Sequence, residues 1–265
     1  MQKRIAILYD FDYTLAPAYM HEFGLMQDLG FDNVKEFFRE NEKLAIDDDM
    51  DMCLSLMCGL VEHGKIQNKK ITRKYLNDCG KNISYYPGVE EWFDKINDVG
   101  KSLGYEIEHY VVSSGVKEII EGCSIANKFK RIYGSFFAYK NDEAFWPSQI
   151  VNYTSKTQYI YRVRKNALDD LRAIDKVNEK MSDENLLSFK NIIYLGDSET
   201  DIPSFKVVKN SGGLSICVYG DNKIAKSVAE KCFTEGRVSF YTPADYREGS
   251  ELYNLVVGYI KNIAK

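Results

Sequence analysis

The chain has 265 residues, 45% hydrophobic and 13% aromatic, with a formal net charge of −4. That apolar content suits one large domain, or a core with a smaller accessory domain, and excludes a disordered chain. The mildly acidic balance and short basic clusters, such as Lys69-Lys70, argue against non-specific nucleic-acid binding, which needs grouped Lys and Arg.

The first segment, "MQKRIAILYDFD", has a basic beginning and an apolar run too short for a signal peptide or a membrane span. Residues 4–9 read as a fully buried strand ending at Asp10 and Asp12. Residues 16 to about 80 read as helices. One has a capping pattern at Asn33 and Glu36. One carries Met50, Cys53, Leu54, Met57, Leu60 and Val61 on one face. One lies between Thr72 as N-cap and Gly80 as stop. Another helix begins near Pro87, with Val89, Trp92, Phe93, Ile96 and Val99 on one stripe. "EIEHYVVSSG" reads as a strand ending at Ser113, followed by a short helix. "RIYGSFFAY" and "SQIVNYT" read as strands joined by the turn-rich "KNDEAFWP". Residues 157 to about 180 read as mostly helical, "NIIYLGD" as a buried strand and "LSICVYG" as the next strand. "DNKIAKSVAEK" and "ELYNLVVGYIKNIAK" read as helices.

Strands alternating with helices indicate an α/β, Rossmann-like three-layer core with a central parallel sheet. The helical stretch interrupts that alternation. The expected organisation is a core of residues 1–15 and 85–265 with an inserted α-helical cap domain at 16–84. The six cysteines form no C-x-x-C pair and there is no His-rich spacing, so a zinc or redox site is not expected. Buried thiols in a reducing compartment, the cytoplasm, are. His21, His63 and His109 have no partner pattern and receive no role.

Three predicted strands end in unusual polar residues: Asp10-Phe11-Asp12, Ser113-Ser114-Gly115, and Gly196-Asp197 with Asp201 beyond. Alone, each has an ordinary explanation as a loop acid, a helix cap or a turn. In an open parallel sheet, however, ligands bind outside the carboxyl ends of the strands. Together these residues would converge in one crevice, where the acids call for a hard cation such as Mg²⁺.

These segments carry a resemblance. "DFDYT" is similar to motif I of the haloacid dehalogenase-like (HAD) hydrolases, D-x-D-x-[TV], and "VVSSG" to motif II. Lys156 in "NYTSKTQ" stands where that family places its motif III lysine, and "GDSETD" resembles motif IV, G-D-x-x-x-D. The whole chain resembles the phosphoserine-phosphatase-like branch, whose helical cap lies between motifs I and II.

The resemblance implies an Mg²⁺-dependent phosphatase acting on a small phosphorylated metabolite through an aspartyl-phosphate. In that scheme Asp10 is the nucleophile, Asp12 the general acid and base, and Lys156 the neutralising cation. The metal would be held by the Asp10 side chain, the Asp12 backbone carbonyl and the Asp197 side chain. Ser113 would bind phosphate with the backbone near Ser114 and Gly115. Asp201 would orient Lys156 or metal-bound water, and Thr14 would tie down the nucleophile's loop. A phosphotransferase or phosphomutase using the same intermediate, or a non-catalytic binding protein, are the alternatives.

Asp12 sets the chain apart from the dehalogenases, which lack an acid there. The cap lysines mark no Schiff base of the phosphonatase kind. Tyr13 replaces a small residue of the family pattern, and could narrow the phosphate entrance or point away. Four further features receive ordinary readings. The Met- and Cys-containing stripe (Met50, Cys53, Met57) is taken as core and "DDDMD" as a helix start. Glu199 is taken as solvated. The segment around Trp146-Pro147 is taken as a surface hairpin, with a flap beside the site as its alternative. The resemblance names neither the metabolite nor the oligomeric state.

Overall fold

A computed structural model describes residues 3–168 and 174–265 of the chain. Seven strands form one sheet: β1 (Lys3–Tyr9), β2 (Tyr105–Val116), β3 (Arg131–Lys140), β4 (Glu143–Gln149), β5 (Ile192–Gly196), β6 (Leu214–Tyr219) and β7 (Phe240–Pro243). Their spatial order is β4-β3-β2-β1-β5-β6-β7, parallel throughout except for the antiparallel β3–β4 pair.

Between β1 and β2 come α1 (Leu25–Asp28), α2 (Val34–Asp47), α3 (Met52–Ile66), α4 (Arg73–Gly80) and α5 (Val89–Ser102). Then follow α6 (Lys117–Gly122), α7 (Lys156–Arg164), α8 (Ile174–Asn178), α9 (Ile202–Asn210), α10 (Lys223–Thr234) and α11 (Glu251–Ile263). Part of the helix expected over 157–180 falls on residues 169–173, outside the described residues. No helix among the described residues is long and apolar enough to cross a membrane.

The central strand β1 alternates its side chains between two cores, as the pleat requires. Ile5, Ile7 and Tyr9 pack with Trp92, Phe93, Leu252 and Val256, under α5 and α11. Ala6 and Leu8 pack with Tyr159, Ile160, Phe205 and Ala229, under α7, α9 and α10. The sheet is therefore covered on both faces, which explains why β1 reads as an unbroken apolar run. The inserted helices share the first of these cores: Phe37, Leu60 and Leu76 belong to the same buried cluster.

Helix α4 comes very close to α6. A Cβ at Gly80 would stand 2.0 Å from the Ile119 carbonyl oxygen, and one at Gly122 would stand 1.9 Å from that of Asn77. Gly80, expected as a helix stop, thus serves as a contact point as well. The N-caps follow sequence chemistry: Asn33 accepts from the Glu36 N–H, Thr72 from the Tyr75 N–H, and Asp51 of "DDDMD" from the Cys53 and Leu54 N–H groups.

Two expectations fail at the hairpin and the far edge. The second hairpin strand lies at Glu143–Gln149, about one turn of chain earlier than "SQIVNYT". Asn141 and Asp142 both take left-handed φ, 53° and 63°. Two such residues close the hairpin, so no longer turn is needed. Pro147 is tolerated because β4 is an edge strand, where a missing N–H breaks little. The four-residue β7 was not anticipated. Its register follows from pairing with β6 rather than from its own pattern.

His109, which the sequence left without a role, closes a buried chain of neutral groups under the sheet. Trp92 Nε1 donates to the Tyr9 hydroxyl (2.8 Å), and that hydroxyl lies 2.9 Å from His109 Nδ1. His109 Nε2 faces Asn97 Oδ1 at 3.2 Å. Burial holds His109 down to about 3, with Asp94 opposing and Lys128 assisting, and holds the buried His21 down to about 4. Both imidazoles are therefore neutral in the fold, whereas in the unfolded chain they charge near pH 6.5. Their contribution to stability is full above pH 6.5 and is lost as pH falls toward their folded values. The expected outcome is a urea midpoint that drops between pH 7.5 and pH 5. His109→Gln should lower the midpoint at pH 7.5 and flatten that slope. An equally steep slope in the variant would show that other groups control it.

Candidate active site

The register of the three central strands aligns their carboxyl ends. Tyr9 of β1 stands opposite Val111 of β2 and Leu195 of β5. Asp10, one residue beyond Tyr9, therefore leaves the sheet at the same end as Ser113 and Asp197, which lie two residues beyond Val111 and Leu195. The Asp10 N–H is fixed by the Leu195 carbonyl at 2.9 Å. On the other side of β2, β3 leads through its hairpin to the turn that opens α7 at Lys156.

The centre is a buried ion cluster. Lys156 is fully buried, and its Nζ donates to Asp10 Oδ2 and to Asp201 Oδ1, both at 2.8 Å. Asp201, also fully buried, accepts further from the Tyr194 hydroxyl (2.8 Å) and the Asp197 N–H (3.1 Å). A Cβ at Gly196 would stand 2.3 Å from Asp201 Oδ2, so only glycine leaves room for this carboxylate. The other Asp10 oxygen accepts the Phe11 N–H at 2.7 Å.

Asp12 turns away from this cluster, its Oδ1 accepting the Met20 N–H at 2.8 Å. Ser113 Oγ accepts the Gly115 N–H at 3.1 Å, so the serine's own O–H is available to donate. Strand β2 runs on to Val116 rather than ending at Ser113, with a register shift between Val112 and Val116. Ser114 and Gly115 thus belong to an irregular strand end and not to a helix start. Thr14 is buried in the loop after Asp10, but its hydroxyl has no hydrogen-bond partner among the described residues. The loop is tied through its backbone instead: Phe11 O accepts from Leu15 N, and Thr14 O from the Tyr246 hydroxyl (both 2.8 Å).

The electrostatics separate the two acids of "DFDYT". Burial raises Asp10 to about 6, with the Lys156 ammonium pulling it down and Asp201 pushing it up. Burial and the neighbouring Asp10 raise Asp12 well above its usual value, the Met20 N–H only partly opposing. The shift favours the protonated form, the direction a proton donor needs. For Lys156 burial opposes the charge, but Asp10 and Asp201 overrule it and raise it well above its usual value.

Asp10, Asp197 and Asp201 each bring a carboxylate oxygen within 4.8 Å of the others. Asp201 already has donors to both oxygens, whereas the Asp197 carboxylate accepts no hydrogen bond from the described residues. Burial, then Asp201 and Asp10, raise Asp197 well above its usual value. Hard oxygen donors short of positive charge are what a divalent cation such as Mg²⁺ fits.

Above the cluster lies a crevice of about 360 Å³, bounded by Asp10, Asp12, Ser113, Asp197 and side chains of the inserted helices. Phe38 of α2 and Met52, Cys53 and Leu56 of α3 line it. Cys53, expected in the helix core, faces this space, and burial raises its thiol to about 11. Tyr13 takes a left-handed φ of 55°, packs edge-on against Tyr19 at 4.8 Å and forms part of the crevice wall. Glu199 is exposed and faces Lys231 at 3.5 Å. The hairpin packs against α3, with Phe145, Trp146 and Pro147 beside Leu54 and Cys58. The turn before Lys156 is joined to that same helix: Asp51, which caps α3, accepts from the Asn152 side chain at 2.9 Å.

No protein-family model matches the chain. A protein of Borreliella burgdorferi described as uncharacterized is 28% identical over 96% of this chain and 95% of its own length. Phosphoserine phosphatase in its apo form superposes with a TM-score of 0.58 (16% identity, 96% of this chain and 98% of that one). A phospho-aspartyl intermediate analogue of phosphoserine phosphatase gives 0.52 (17%, 96% and 98%). A HAD family hydrolase from Salmonella enterica subsp. enterica serovar Typhi gives 0.56 at 15% identity. The match covers 84% of this chain and spans 65% of the length of that one.

Removing the lysine tests the cluster. Lys156→Met leaves two buried carboxylates without their cation and should cost about 3–5 kcal/mol at pH 7.5, read by denaturant titration. The loss should shrink as pH falls, because the stranded acids then protonate. A loss independent of pH would point to packing instead. The chain has the fold of the HAD family hydrolase and the phosphoserine phosphatases on which it superposes.

Proposed function

We propose that the protein is a phosphatase that hydrolyses a small phosphomonoester through an aspartyl-phosphate on Asp10. The observation that supports this most directly is the division of labour between two acids two residues apart. Asp10 is paired with a buried ammonium, whereas Asp12 stands outside that pairing and is shifted toward its protonated form. The phosphatase neighbours in fold, one of them a phospho-aspartyl intermediate analogue, support the same reading.

In the first step an Asp10 oxygen forms a bond to phosphorus while the bond from phosphorus to the alcohol oxygen breaks. Asp12 gives its proton to the departing alkoxide. In the second step Asp12, now a carboxylate, takes a proton from the water that attacks phosphorus. The bond from phosphorus to Asp10 breaks, phosphate leaves and both acids return to their starting states. Lys156 holds Asp10 oriented and offsets the charge that gathers on the phosphoryl oxygens. Ser113 donates its free O–H to one of those oxygens. Asp201 and Tyr194 keep Lys156 in place.

An Mg²⁺ ion would be held by the Asp10 and Asp197 side chains and the Asp12 carbonyl. Once bound, it supplies positive charge beside the phosphoryl group. The segment 16–84 acts as the cap, with α2 and α3 limiting access of water and of bulky substrates.

Two variants test the roles separately. Asp10→Asn should abolish phosphate release from p-nitrophenyl phosphate in the presence of Mg²⁺; retained turnover would refute the nucleophile. Asp12→Asn should lower kcat/KM, which reports the step in which the alcohol leaves, on an alkyl phosphate by about 10²–10⁴-fold. Its effect on p-nitrophenyl phosphate should be smaller, because nitrophenolate leaves without needing a proton. Equal losses on both substrates would remove Asp12 from the role of acid.

A further inference from the structure

The crevice continues into a smaller recess of about 90 Å³ under α2 and α3, and the two share Asp12, Phe38, Cys53 and Leu56. The recess walls add Met57, Leu60 and Val116. Its polar side chains are Asp12, Tyr19, His21 and Ser114. His21 is 6% exposed and lies between Phe37 and Phe38, with ring centroids at 6.4 and 6.3 Å, and its Nδ1 is sealed from the recess.

The same path offers no free side-chain cation. Neither the crevice nor the recess is lined by a lysine or arginine among the described residues. Lys156, beneath them, is fully buried and held by Asp10 and Asp201. A carboxylate on the alcohol part of a substrate would lose its water here and find no cationic side chain to pair with. An apolar or ring-bearing group would instead replace water against Phe38 and Leu56.

We propose that the site takes a phosphomonoester whose alcohol part is uncharged. That part lays an apolar or aromatic face against Phe38 and Leu56. This rests on the phosphatase reading and narrows its substrate class. It sets the chain apart from enzymes that recognise a phosphorylated amino acid or hydroxy acid by its carboxylate.

The test compares phosphoserine with benzyl phosphate in the presence of Mg²⁺. For the wild type, kcat/KM for benzyl phosphate should exceed that for phosphoserine at least tenfold. Leu56→Arg should shift preference toward phosphoserine. Wild-type turnover of phosphoserine equal to or faster than that of benzyl phosphate would overturn the proposal and leave the phosphatase reading standing. No turnover of these two or of p-nitrophenyl phosphate would overturn both.

Discussion

The ammonium of Lys156, sealed from solvent between Asp10 and Asp201, is the constraint to which the site conforms. A lone charge there would be untenable, and so would either carboxylate without it. Every local feature around it serves that pairing. Tyr194 and the Asp197 N–H occupy the remaining acceptor capacity of Asp201, and Gly196 makes room for it. The Phe11 N–H takes the second oxygen of Asp10. Surplus negative charge then falls on Asp12 and Asp197, the two acids without a cation, where a proton and a metal ion respectively can compensate it.

The sheet makes this pairing possible. Lys156 is 146 residues from Asp10 and 45 from Asp201, so no local structure could bring them together. Parallel pairing of β1 with β2 and β5 sets three chain ends at one level, and the α7 start drops the lysine between two of them. The alternation of β1 side chains between two cores fixes its register, since a slip of one residue would exchange them. The precision of the charge cluster therefore derives from the apolar packing of Ile5 to Tyr9.

The parts legible in the sequence were those where a chemically unusual residue follows a strongly patterned run. Asp10, Asp12 and Asp197 each follow a buried strand and Ser113 stands in the irregular end of another, with glycine or serine neighbours beside Ser113 and Asp197. Lys156 had no such local mark, and only its order among the other segments singled it out. The hairpin strand was misplaced because Glu143 to Gln149 has little alternation, and two left-handed residues define the turn rather than a Gly or Pro. β7 is too short to carry a pattern. Cys53 and Met57 fit a helix stripe, and a stripe does not reveal whether it meets other side chains or an open crevice. His21 and His109 were unreadable for the same reason: their surroundings are assembled from segments far apart in sequence.

Asp51 connects these layers. One of its oxygens caps α3, and the other holds Asn152, whose own side-chain oxygen receives the Thr154 and Ser155 N–H groups and whose carbonyl receives that of Lys156. The helix that roofs the crevice and the turn that delivers the lysine are thus fastened to a single carboxylate. A displacement of α3 large enough to admit a substrate pulls on the lysine's own turn. Access to the site and the seating of its cation are mechanically linked, like a door whose latch also closes the circuit behind it.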